Sequence, residues 1–247
     1  MRSRFSVSTV SCLFVLAVLV IVPRVSAQPR LDVFVTPIPN APFSGTINVE
    51  RSMVMKDGTI ADFKTTRNIH RDSRGRIYTE ARNLLPAASN ETPEITRILL
   101  YDPQTRISTT LFPQNRTFTS GTVNRPPETV PPAFLNASPT GNALPQNEYT
   151  REEDLGIHDM GGVAVHGVRE TQTISGQSSG TGKDVVITDE YWYSADLRLN
   201  MVIKHNDPRT GAVTMTVTHV TRSEPDPTLL DIPEGYTPAG ASSDAKQ

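Results

Sequence analysis

From Asp184 to Arg222 apolar and polar residues alternate with a period of two, the mark of strands with one buried and one wet face. Val185, Ile187, Asp189, Tyr191 and Tyr193 share one face. Beyond Ser194-Ala195-Asp196 the apolar set is Leu199, Met201 and Ile203, with His205 in line, and beyond Asp207–Gly211 it is Val213, Met215 and Val217, separated by Thr214 and Thr216. A slip of one residue would turn every side chain over, so odd positions must face odd positions. Asp207-Pro208-Arg209-Thr210-Gly211 suits that register, with proline presetting one backbone angle and Gly211 free to take a left-handed one. The predicted pairs are His205 with Val213, Ile203 with Met215, Met201 with Val217 and Leu199 with His219. Across the preceding turn, the same reading sets Tyr191 opposite Met201 and Asp189 opposite Ile203, with His205 diagonal to Asp189.

The alternation is poorer earlier in the chain. Ser44 to Lys56 and Thr59 to Arg71 read as strands joined at Asp57-Gly58, a two-residue turn signal that would set Met55 against Ile60. Arg51, Lys64 and Thr66 mix with apolar positions, so one face should be partly wet. Strands follow at Ile77 to Arg82, Ile95 to Tyr101, Arg106 to Phe112 and Arg116 to Ser120, with Asp102-Pro103 turning the second pair. Tyr149 to Leu155 is expected as a helical turn, and Gly156 to Ile174 as strand around a Gly161-Gly162 turn. Pro227 suits the first position of a short helical turn through Leu230, after which Leu229, Leu230, Ile232 and Tyr236 close the sheet. The predicted class is mainly β: a curved antiparallel sheet, an open half-barrel built from hairpins, with few short helices.

Residues 1–27 read as a secretory signal peptide: Arg2 and Arg4, an apolar run from Cys12 to Val22 too short for a comfortable bilayer span, and Val25-Ser26-Ala27. Residues 28–42 form a proline-rich lead-in, 43–236 a single β domain with an irregular proline-rich insertion at 122–147, and 237–247 a disordered tail. The insertion carries Val130, Ala133, Phe134 and Leu135 among its prolines, a composition that can dock or simply wander.

Composition narrows the chemistry. Cleavage after Ala27 removes Arg2, Arg4 and Arg24 and no acid, so the formal net charge moves from −2 to −5, which gives no bulk attraction to nucleic acid. It also removes the only cysteine, leaving no disulfide, thiolate metal site or thiol nucleophile. Ser175 to Gly182 has glycines and a lysine but leads into a strand without phosphate-loop spacing. His158 and His166 flank a glycine turn without a third ligand, and His205 and His219 lie about 20 Å apart on that register, so no metal centre or cofactor is expected. No serine occupies a nucleophile-elbow setting. Asp189 on an apolar face requires a partner; His205 supplies either a structural contact or an acid–base pair. Arg67, His70, Arg71, Arg74, Arg76 and Arg82 form the basic concentration, read as a charged turn and sheet edge or as a contact for an anionic head group. Asn90, Asn115 and Asn136 stand in sequons.

Consecutive strands joined by Asp-Pro and Asp-Gly turns, closed by Glu224-Pro225-Asp226-Pro227-Thr228-Leu229-Leu230-Asp231-Ile232-Pro233-Glu234-Gly235-Tyr236, resemble exported bacterial proteins of the LolA and LppX kind over Phe43 to Tyr236. The resemblance implies an open half-barrel carrying a lipid or lipoprotein in its hollow. The chain departs from it in showing few covering helices and in the proline-rich 122–147. On this reading the protein is an exported, periplasmic or extracellular, non-enzymatic binding or carrier domain for an apolar ligand or an envelope protein. Its ligand would lie on Tyr191, Tyr193, Met201, Ile203, Met215 and Val217, unless those residues simply pack a closed core. The alternatives are a structural or surface interaction domain, and a hydrolase using Asp189 and His205.

Overall fold

The computed structural model describes residues 31–124 and 148–240. The segment read as a signal peptide, most of the stretch read as a proline-rich insertion and residues 241–247 lie outside the described residues. Among the described residues the thirteen strands are β1 (Phe43–Val54), β2 (Ile60–Arg71), β3 (Ile77–Arg82), β4 (Leu85–Pro86), β5 (Ile95–Asp102), β6 (Ile107–Phe112), β7 (Thr117–Thr122), β8 (Thr150–Asp159), β9 (Ala164–Ile174), β10 (Val185–Ser194), β11 (Leu199–Asp207), β12 (Gly211–Thr221) and β13 (Thr237–Pro238). They form one open sheet in the order β13-β7-β6-β5-β3-β2-β1-β12-β11-β10-β9-β8, with β4 beside β2. It does not close into a barrel. The β13–β7 pair is parallel and the other described pairs are antiparallel. Helix among the described residues is confined to α1 (Gly176–Ser179) and a 3-10 turn at Pro227–Leu230, where the Asp226 side chain accepts from the Thr228 amide.

Hairpins join β1 to β2 and the consecutive strands from β8 to β12, while β1 pairs β12 and so joins the chain's two halves in the middle of the sheet. The register of β11 against β12 follows the alternation from Asp207 opposite Gly211 to Val202 opposite Thr216, with Ile203 facing Met215 and His205 facing Val213. There the paired register ends, so the expected Met201–Val217 and Leu199–His219 pairs are not formed, and His219 has a positive φ of 53° beside a bulge. Two other registers differ from the sequence reading. Tyr191 faces Ile203 and Asp189 faces His205 directly, because the turn is longer than three residues and Met201 is extra between Trp192–Val202 and Tyr193–Asn200. Met55 does not face Ile60: Val54 does, since Lys56-Asp57-Gly58 make a three-residue connection, with Gly58 at φ 82° and Met55 N bonded to Thr59 O at 2.8 Å.

Residues Tyr149 to Leu155 are not a helical turn; they run into β8, whose partner β9 dictates extended backbone. Part of the proline-rich lead-in also packs on the sheet. Val33 and Val35 are buried in the main core, forming a strap over one face of the sheet, here called the inner face, with Phe43, Ile47, Ile69, Tyr191, Met201, Ile203 and Val217. Each large aliphatic or aromatic side chain wholly removed from water there, such as Phe43, Ile47 or Ile203, contributes roughly 1.5–3 kcal/mol. A smaller cluster of Tyr78, Leu100, Leu111 and Leu230, flanked by Leu229 and Tyr236, occupies the opposite face of β3, β5 and β6 under the 3-10 turn. Ile232 is exposed. Thr237 and Pro238, read from sequence as tail, add a strand to β7.

Candidate functional site

The β1–β2 register brings Arg51 opposite Phe63, Val49 opposite Thr65 and Ile47 opposite Arg67 on the inner face. Across β1, the same rows continue to Val213, Met215 and Val217. On the far side, β2 pairs β3 only at Ile69–Arg71 and β4 only at Phe63 and Lys64, so the sheet parts beside residues 65–68. Glu80 fills part of the split, accepting from the Asn68 amide at 3.0 Å, from Tyr78 Oη at 2.9 Å and from Arg82 Nε at 2.8 Å. Burial pushes its carboxyl up, but the arginine, amide and phenol together hold it below the usual range.

Where the strands part, the inner face opens into a groove of about 370 Å³, within the size range of small-molecule sites. Leu31, Val49, Leu84, Val213 and Met215 give it an apolar surface, and Arg51, Arg67, Arg82, Thr65 and Asp32 ring it. Arg67 is ion-paired with Asp32 of the strap. Its Nε and the Thr65 hydroxyl are buried with no hydrogen-bond partner among the described residues. On the other side of the strap lies a second, more enclosed cavity of about 180 Å³ with Val33, Val35, Ile77, Leu99 and Tyr101 in its wall; Asp32 lines both.

Of the six residues singled out by alternation, Tyr191, Met201, Ile203, Met215 and Val217 belong to the buried core, and Met215 alone also lines the groove. Tyr193 is half-buried, its phenol pushed up by burial although Arg198 and Arg71 pull the other way. The residues that sequence reasoning missed are Val49, Thr65 and Asp32, while Arg67 and Arg82 of the basic concentration do reach the groove. Their signal was the broken alternation of Arg51 to Arg67, misplaced by one residue at the turn.

Asp189 and His205 are directly opposed, with Oδ1 and Nδ1 2.8 Å apart and each side chain about one-fifth exposed. Glu170 faces Asp189 across β9, and its carboxyl is pushed up by burial, then by Asp189 and Glu152. No hydroxyl is hydrogen-bonded to His205 among the described residues. His158 and His166 do not converge: His158 stands edge-on to Trp192 at 4.8 Å, and His166 Nε2 meets Asp154 at 2.6 Å. Among the described residues no group of three acidic, histidine or cysteine side chains is arranged to hold a metal ion, and no helix is long and apolar enough to cross a membrane.

Solved structures that the chain resembles include a LolA superfamily protein from Nitrosomonas europaea, at 10% identity and a TM-score of 0.31 over 79% of this chain and 92% of that one. LprF from Mycobacterium bovis matches at 11% and 0.30 over 75% and 90%, and the lipoprotein LppX from Mycobacterium tuberculosis at 12% and 0.26 over 74% and 88%. No protein-family model matches the chain, and no curated protein does. Proteins of the LolA and LppX kind, which the strand layout resembled, are among these matches, and the likeness is weak. At these identities and scores it carries no argument about function, which must come from the groove itself.

Proposed function

We propose that the protein is an exported, non-enzymatic binding or carrier domain that takes an apolar ligand, a lipid or the acyl part of a lipoprotein, into the inner-face groove. Residues 1–27 would serve as the export signal and 28–247 as the working chain. The carrying observation is an apolar groove on the inner face: Leu84 and Met215 border open space while Tyr191, Ile203 and Val217 are buried in the core. The packed residues support the floor rather than touch the ligand, with Met215 at the boundary. A soluble domain keeps such a surface open at a cost, and a ligand removes that cost.

The test is native mass spectrometry with lipid extraction on the full chain, recovered from the compartment it reaches. A stoichiometric apolar adduct, lost when Met215 and Val49 are both changed to glutamine, is the expected result. A clean unliganded mass together with no uptake of a neutral alkyl probe would overturn the reading. The hydrogen-bonded Asp189–His205 pair keeps a hydrolase as the second reading, though one still lacking a nucleophile beside the imidazole.

A further inference from the structure

Charge divides the groove unevenly. Arg82 is neutralised by Glu80, which closes on it from the split between β2 and β3. Among the described residues Arg67 is neutralised only by Asp32, whose side chain is 52% exposed on the strap. Arg51 has no carboxylate partner among the described residues, and its row neighbours are Phe63 and Val213. Between Arg51 and Arg67, on the same face, lies Thr65. Its hydroxyl and the Arg67 Nε are two buried donors with no acceptor among the described residues, whereas buried polar groups in folded proteins are ordinarily paired. Val49 and Met215 share Thr65's row, so an apolar surface begins where the unpaired donors end.

We infer that the groove selects an anionic amphiphile, a single alkyl chain ending in a carboxylate or phosphate. The chain lies over Val49, Met215 and Val213, and the anion accepts from Thr65 and Arg67 in place of Asp32. This rests on the carrier reading and adds the head-group class. Asp32 then acts as an internal stand-in: it holds the arginine's charge when the groove is empty and yields to a ligand whose anion reaches the donors the strap leaves unused. A neutral alkyl chain would gain only the apolar contacts. A cationic one would meet Arg51 and Arg67 as like charges.

The experiment is titration calorimetry of the full exported chain, delipidated, with dodecanoate, dodecanol and dodecyltrimethylammonium below their aggregation limits, and with acetate and inorganic phosphate. Dodecanoate should bind about tenfold more tightly than dodecanol, the strength of one charge-assisted contact. The cation should bind more weakly than either, and acetate and phosphate should not saturate. Arg67→Gln should bring dodecanoate to the level of dodecanol without moving dodecanol itself. Asp32→Asn should tighten dodecanoate about fivefold and leave dodecanol unchanged. Should Arg67→Gln fail to fold, Thr65→Val and the exposed Arg51→Gln must each reduce the preference for the anion. Equal binding of dodecanoate and dodecanol would overturn the head-group inference while leaving the carrier standing. Saturable binding of acetate or phosphate would replace the amphiphile with a small-anion site. No binding of any alkyl probe would remove the carrier, and the inference with it.

Discussion

Glu190 of β10 and Glu170 of β9 stand on opposite faces of the sheet, and their pKa values are shifted in opposite directions. Glu190 lies on the face opposite the groove, where Lys204 Nζ at 2.7 Å, Trp192 Nε1 at 2.8 Å and Arg169 at 2.9 Å all reach its carboxylate. Burial raises its pKa, but these three partners outweigh burial and bring it to about 2. A carboxyl depressed in the folded state stabilises above its unfolded value, and that contribution fades as pH falls toward 2. Glu190→Gln should therefore lose about 2 kcal/mol at pH 7 and converge with the wild type in acid. Glu170 has the reverse sign, since burial and two nearby carboxylates raise its pKa. Its ionisation works against the fold as pH rises, so Glu170→Gln should stabilise at pH 7 and be neutral below pH 4, with urea denaturation across pH 3–8 as the measurement for both.

At the scale of strands, register is set by small residues at the turns and crossings. Gly211 ends the β11–β12 turn at φ 116°, and a Cβ there would run into the Ser52 carbonyl of β1. Gly167 of β9 plays a similar part beside β10, because the indole of Trp192 lies flat against it and a Cβ would come within 2.6 Å of the ring. Gly167→Ala should displace the ring, cost about 2 kcal/mol and shift the emission of the chain's single tryptophan; an unshifted spectrum with unchanged stability would show that the pair is not close-packed. The alternation from Asp184 to Arg222 was legible because nearly every apolar residue there faces the core. The β1–β2 hairpin was not, because its arginines share the apolar face and only the turn length decides which residues they oppose.

At the scale of the molecule, Arg71 ties together parts distant in sequence. Its side chain is fully buried, with Nε donating to Ala41 O at 2.7 Å and one terminal nitrogen to Thr36 O at 2.7 Å and Leu197 O at 3.0 Å, and it lies 4.8 Å over the Phe43 ring. Burial, with Arg198 nearby, lowers its pKa to about 10 although Tyr193 pulls it up. It stays charged at neutral pH, held by carbonyl dipoles instead of a carboxylate. Arg71→Met should strip those carbonyls of the guanidinium, leaving Thr36 O only the Ile38 amide, cost about 3 kcal/mol and open the strap at residues 31–41 to proteolysis. Arg71→Lys should recover little, since an ammonium lacks the planar fork that spans both sides. Intact resistance of the strap in Arg71→Met would show that the valines, not the guanidinium, hold it.

The sequence by itself determined the fold class, the placement of most strands and the β11–β12 register next to its turn, because a period-two pattern and turn chemistry act over a few residues. It also brought Asp189 near His205, one pair away from where they meet. Only the tertiary structure decided that the strap before Phe43 joins the core, that β2 and β3 part around Glu80, and that Thr65, Arg67 and Asp32 gather at the opening. These depend on one extra residue in a turn, one in a bulge and a contact between segments 35 residues apart. Local alternation carries no record of such choices; the packing of distant segments over the sheet makes them.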